Sequence, residues 1–225
     1  MEHPLDNPIW HALNTGNSDL ATGDDQAKIL ARDVGVFAGL KQNSIGNLLS
    51  LSEKTTSESI VVLFVPSEVS IPNIWEVVVK KPLCQMVYVR NEPPEENGEA
   101  TALTETHVDA MLELTALTEP GPFLRRTIDF GNYQGIFKDG KLIAMAGQRL
   151  KPGAYVEISA VCTRPGYTGR NYAGRLIKNQ INHILRNSCI PFLHVLPENH
   201  AAFRLYQKLG FEVRKELLCY VLKKI

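Results

Sequence analysis

The pattern of apolar and polar positions changes character near residue 83. Before it the pattern is short-ranged. NPIWHAL (7–13) and NSIGNLLSL (43–51) carry apolar residues at helical spacing, and SIVVLFVPS (59–67) is a compact β-rich run that ends at a proline. Trp10 and Trp75 read as packing anchors. No chemical motif stands out in this part. After LCQMVYVR (83–90), a strand, the Pro- and Glu-rich stretch 91–100 reads as an exposed loop.

From residue 83 onward the pattern is regular. ETHVDAMLELTAL (105–117) has helical spacing. GNYQGIF and KLIAMAGQRL flank Asp139-Gly140, a pair suited to a two-residue hairpin turn in which both positions need positive φ. AYVEISAVCT (154–163) follows as a strand. Tyr172–Arg186 then places Ala173, Leu176, Ile177, Ile181, Ile184 and Leu185 on one helical stripe. PFLHVL is a short strand. The next helix carries Ala202, Leu205, Tyr206 and Leu209 on one face and stops at Gly210, a C-terminal cap. FEVRKELLCYVLKK closes the chain as one bent strand or two short ones. This order predicts an α/β chain with a mixed sheet. A division follows the change in pattern, with residues 1–82 as a region of unassigned role and 83–225 as the main domain.

Composition narrows the function. The 225 residues hold 24 basic and 24 acidic side chains, so neither nucleic acid nor an anionic membrane is an expected partner. Cys84, Cys162, Cys189 and Cys219 lie far apart without paired-ligand spacing, and the histidines show none either, so no metal is expected. With no secretory leader and no long apolar run, a cytoplasmic location is expected.

The chemically suggestive stretch is EISAVCTRPGYTGRNYAGRL (157–176), a strand running through a short turn into an amphipathic helix. Such a junction presents unpaired N–H groups and the positive end of the helix dipole to an anion. Gly169 and Ala173 let a phosphate approach the backbone, and Arg170 offers a fixed cation. A plain strand-to-helix connection has the same outline.

These residues resemble the GNAT superfamily of acyl-CoA N-acyltransferases, in its FR47-like branch. The family's cofactor turn has Gln or Arg, two residues, Gly, one residue, then Gly or Ala. Here Thr168, Gly169, Arg170, Asn171, Tyr172 and Ala173 fall on it. Downstream, NHAAFRLYQKLGF (199–211) is close to the second family signature, and the resemblance covers roughly 83–225. Thr168 replaces the usual cation and Asn171 replaces a glycine. Asn tolerates left-handed backbone, so the turn is expected to survive. The missing cation should weaken diphosphate binding about tenfold, offset in part by Arg170.

The resemblance implies a fold, a cofactor and roles. Residues 83–225 would form a GNAT-like acetyltransferase domain, with 1–82 either a degenerate half of the same fold or a cover for the acceptor site. Acetyl-CoA would be the co-substrate, and a small-molecule or peptide amine the acceptor. Glycine N-acyltransferases share this layout, which makes an amino acid a secondary expectation. Val161, Cys162 and Thr163 would offer backbone groups to the pantetheine arm, so Cys162 is a filler rather than a nucleophile. Asn199 would bond the same arm, or cap its helix, or both. Tyr206 would protonate the leaving thiolate, unless it is only core. Glu157 would be the base, with a carboxyl pKa raised by its apolar strand; otherwise it is solvated or paired with Arg149. His194 is a second base candidate. In the loop 118–133, Phe123 is a candidate acceptor contact, and Arg125 or Arg126 a candidate carboxylate partner. A non-catalytic acyl-CoA sensor is the rival reading.

Overall fold

The computed structural model describes residues 3–225 except 91, 96, 97 and 99. The loop expected at 91–100 therefore lies partly outside the described residues.

Eight strands form the main sheet, in the order β4-β11-β5-β10-β9-β8-β7-β6. In chain order they are β4 (Ile60–Val65), β5 (Trp75–Tyr88), β6 (Thr101–Ala102), β7 (Gln134–Lys138), β8 (Lys141–Gln148), β9 (Tyr155–Thr163), β10 (Ile190–Val195) and β11 (Phe211–Lys224). The sheet is mixed: β9 and β10 run parallel, and the other pairs are antiparallel. A smaller antiparallel sheet precedes it, made of β1 (Ala21–Gly23), β2 (Ala27–Leu30) and β3 (Ala38–Leu40). Helices α1 (Pro8–Asn14) and α2 (Ile45–Glu53) pack on it.

The expected α/β class with a mixed sheet is what the chain forms. The division expected between residues 82 and 83 falls inside β5, whose backbone runs unbroken from Trp75 to Tyr88. Pro82 is tolerated there because β10 pairs with β5 only at 84–87, leaving one edge of residues 75–82 without a strand neighbour. The last strand is a single element with two register shifts.

Three helices complete the main layer: α3 (Val108–Thr118), α4 (Tyr172–Arg186) and α5 (His200–Leu209). The stripe on α4 buries Leu176, Ile177, Ile181 and Ile184. Ile177, Ile181 and Ile184 pack with Val156, Ile158, Leu193 and Val195 and with Tyr206, Leu209 and Phe211. The opposite face of the sheet holds Phe64, Met145, Cys162, Phe192 and Leu217 against Met111 and Leu114 of α3 and against Leu5, Ile9 and Phe37. The main sheet is thus sandwiched between α4–α5 and a layer built by α3 and the N-terminal region.

The turns follow the local sequence. Asp139 and Gly140 both adopt positive φ (49° and 75°), as the hairpin requires. Gly147 is set by close approach: a Cβ there would lie 2.3 Å from the buried ring of Tyr133.

Candidate active site

A one-residue irregularity opens the site. Met145 pairs with Cys162 and Gly147 with Ser159, so β9 carries one more residue than β8 between these pairs, and Ala160 adopts φ 51°. Such a bulge bends a strand and resets which face its later side chains occupy. Beside it, β9 pairs with β10 only at Tyr155–Glu157 against Ile190–Phe192. Past these residues the two strands are no longer partners, and the cavity fills the split.

Two cavities meet there. One, of about 430 Å³, follows the turn into α4 and is lined by Val161–Thr163, Tyr167–Gly169, Asn171–Gly174 and the start of α5. The other, of about 600 Å³, lies on the far side of β9, among Phe37, Phe64, Arg149, His194 and the loop after α3. Val161, Cys162, Thr163, Asn199 and Tyr206 line both.

The turn has the conformation that an anion-binding helix start needs. Gly166, Gly169 and Asn171 all have positive φ (84°, 75° and 60°), so Asn171 takes the left-handed place of the usual glycine. It is the N-cap of α4 without a side-chain capping bond. The first-turn N–H groups of Tyr172, Ala173 and Gly174 have no intrahelical acceptor, and these residues line the smaller cavity, at the end of α4 where the helix dipole favours negative charge. A Cβ on Gly169 would meet nothing within 4 Å, so the groove is open beside this glycine. Thr168 is exposed at its edge. Arg170 is not among the groove-lining residues. Its guanidinium lies 5.4 Å from the ring centroid of Tyr167, over which Lys138 Nζ also sits at 5.9 Å. Tyr167, unremarked in the sequence, lines the groove together with Tyr172 and Tyr206.

Tyr206 projects from α5 into the junction of the two cavities. It is 8 % exposed, its ring packs edge-on against Phe211, and its hydroxyl has no hydrogen-bond partner among the described residues. Burial pushes its phenol up to about 12, so it holds its proton at neutral pH. Asn199 caps α5, its side-chain oxygen accepting from Ala202 N at 3.1 Å, which leaves its amide nitrogen for other partners. Burial raises the Cys162 thiol to about 11, an unreactive state that suits a filler.

Glu157 departs from the expectation of a raised pKa. It is fully buried and accepts four hydrogen bonds: from Arg149 Nε (2.9 Å), Arg149 Nη2 (2.6 Å), Leu150 N (3.2 Å) and His194 Nδ1 (2.7 Å). Burial alone would raise its pKa. The Arg149 guanidinium outweighs that, with help from His194, and holds the carboxyl at about 2. It lines neither cavity, whereas Arg149 and His194 both line the larger one. The alternative pairing with Arg149 is the one realised.

The network continues toward the N-terminus. Gln85 Oε1 accepts from Arg214 Nη1 at 2.9 Å, so its amide nitrogen is the donor to Leu5 O (2.9 Å) and His194 Nε2 (3.2 Å). This assignment makes Nε2 of His194 the acceptor and Nδ1 the donor to Glu157. Asp6 closes the chain on Arg214 and Lys215, each at 2.9 Å.

The loop after α3 contributes differently from expectation. Phe123 stacks edge-on against Tyr133 and lines smaller recesses rather than the large cavity. Arg125 is paired with Asp109, and Arg126 with Asp33 and Asp129, so both cations have protein partners. Sequence reasoning missed Phe37, Val62 and Phe64. They sit in buried apolar runs that carry no polar signal of a cavity. Among the described residues no group of three metal-ligating side chains occurs, and no helix is long and apolar enough to cross a membrane.

Comparison with known proteins agrees with this geometry. The model of the family described as FR47-like protein matches residues 133–220. A comparison with the curated proteins gives no match. A crystal structure from Novosphingobium aromaticivorans, assigned to the GNAT family of acetyltransferases, is 34 % identical, covers 100 % of both chains and superposes with a TM-score of 0.93. A GCN5-related N-acetyltransferase from Kribbella flavida has 15 % identity over 96 % of this chain and 94 % of its own, with a TM-score of 0.62. Another from Sphaerobacter thermophilus has 12 % identity over 98 % and 93 %, with a TM-score of 0.58. The last two show likeness of fold alone. Identity of 34 % across both full chains shows that this protein belongs to the GNAT family of acetyltransferases, and the FR47-like match covers the part that holds the turn and Tyr206.

Proposed function

We propose that the protein moves an acetyl group from acetyl-CoA directly to a primary amine. The observation that carries this reading is the meeting of two cavities at Val161–Thr163, Asn199 and Tyr206. One has the left-handed turn and bare helix N-terminus suited to a diphosphate. The other is large enough for a separate acceptor. Such an arrangement lets two reactants approach without a covalent enzyme intermediate.

Acetyl-CoA supplies an activated thioester. In this proposal Thr168, Gly169 and the N–H groups of Tyr172, Ala173 and Gly174 hold its diphosphate, Tyr167 and Arg170 flank the nucleotide end, and Val161–Thr163 with Asn199 hold the arm. The amine nitrogen attacks the carbonyl carbon; a C–N bond forms and the C–S bond breaks. Tyr206 gives its proton to the departing sulfur, and the proton lost by nitrogen restores the phenol through water. Glu157 is a positioning residue that orients Arg149 and His194. The N-terminal region serves as a wall of the acceptor cavity, through Phe37, Val62 and Phe64.

Calorimetric titration with acetyl-CoA, followed by a thiol-release assay over a panel of primary amines, tests this. Binding together with amine-dependent thiol release is expected. Tight binding with no release on any amine would replace the enzyme with a sensor.

A further inference from the structure

We propose that the acceptor carries a carboxylate, received by the guanidinium of Arg149, and an apolar body laid against Phe37 and Phe64. The inference rests on the acyl-transfer reading above and assigns a substrate class to its larger cavity.

Arg149 is the one Lys or Arg among the described residues that line this cavity. Its Nε and Nη2 are committed to Glu157, but Nη1 has no hydrogen-bond partner among the described residues. The side chain keeps 15 % of its surface exposed. Its carbon lies 4.6 Å from the ring centroid of Phe37 and 5.9 Å from that of Phe64. Bidentate pairing on one edge and aromatic contact fix the plane, so Nη1 is presented without loss of side-chain freedom on binding. Glu157 meets the guanidinium on its Nε and Nη2 edge, which leaves the Nη1 N–H groups as donors for a second anion. A guanidinium N–H at this cavity wall fits an ionised oxygen better than a neutral one. The one carboxylate among the described residues that line this cavity, Glu119, is exposed on the loop after α3.

An apolar part of the wall sets the second requirement. Phe37, Val62, Phe64, Leu83 and Val221 are apolar, and a small hydrophilic acceptor would leave them wet. Phe37, Val62 and Phe64 come from the chain before residue 133, outside the FR47-like match. The N-terminal region thereby selects the body of the acceptor while the GNAT-like part performs the transfer.

The test compares N-acetyl-L-phenylalanine, a product with this chemistry, with N-acetyl-L-phenylalanine amide by calorimetric titration of the full chain. The acid is expected to bind at least about tenfold more tightly than the amide. In Arg149→Lys the ammonium is captured by Glu157, and the two probes should bind within about twofold of each other. Phe37→Leu should weaken both probes equally. Equal binding of acid and amide to the wild type, binding of neither, or an acid preference that survives Arg149→Lys would overturn the proposal. The wild-type comparison needs no variant to fold. Thiol release is scored separately, so an amine-acetylating protein indifferent to the carboxylate refutes this inference alone.

Discussion

Replacing Glu157 by Gln is a sharp perturbation because the buried carboxylate satisfies four donors at once. An amide offers one acceptor oxygen and turns an N–H toward the donors of Arg149 or His194. Arg149 stays charged, with burial opposing that charge and no carboxylate left to offset it. Removing one partner of a buried ion pair costs about 3–5 kcal/mol, a large share of the ~5–15 kcal/mol typical of a folded protein. In a chain of this size that lowers Tm by roughly 6–20 °C. The acid limb gives a second readout. The Glu157 carboxyl sits at about 2 in the folded protein against an ordinary value of 4.5. Between these values the unfolded state binds more protons, so stability rises with pH across this window. This contribution, about 3 kcal/mol at 1.36 kcal/mol per unit, is fully present above the unfolded value and lost as pH falls to the folded one. Urea titrations of wild type and Glu157→Gln from pH 6 downward should give curves whose separation shrinks as the medium becomes acidic. A loss below about 1 kcal/mol at neutral pH, or a separation independent of pH, would refute the network argument.

Two further outcomes follow from the site. Gly169→Ala places a side chain at φ 75° where no neighbour obstructs it, so its cost is backbone strain of about 1–2 kcal/mol. CoA affinity should fall about tenfold by calorimetry as the turn relaxes, and unchanged affinity would dissociate the turn from the cofactor. Because burial holds the phenol of Tyr206 at about 12, the acid should stay protonated as pH rises through the ordinary tyrosine range. A pH–kcat profile should show no fall near 10, and an inflection there would contradict this.

The C-terminal part was legible because its elements are long enough to show their periods. The α4 stripe, the Asp139-Gly140 turn and the Gly210 cap each appear where local chemistry placed them. The left-handed Asn171 was foreseen for the same reason, since it is a property of one residue type. The small sheet was not legible: strands of three or four residues such as AGL and AKIL are too short to show alternation. The change of pattern near residue 83 reads as a division, yet tertiary pairing with β11 carries β5 straight through it. Glu157 shows how a site can be located but misjudged. Its strand position was clear, but its pKa depends on Arg149 and His194, eight and thirty-seven positions away, converging on one carboxylate. Phe37 and Phe64 were invisible as cavity walls because a core phenylalanine and a cavity phenylalanine have the same sequence pattern.

Tyr206→Phe, assayed for acetyl-CoA affinity and for thiol release with a reactive amine, bears most directly on the proposed chemistry. The substitution removes one oxygen from a ring that stays packed against Phe211. The dissociation constant should remain within about twofold, while kcat falls about a hundredfold or more, the usual scale for a lost general acid. Unchanged kcat would remove Tyr206 from the reaction and with it the account of how the two cavities work together.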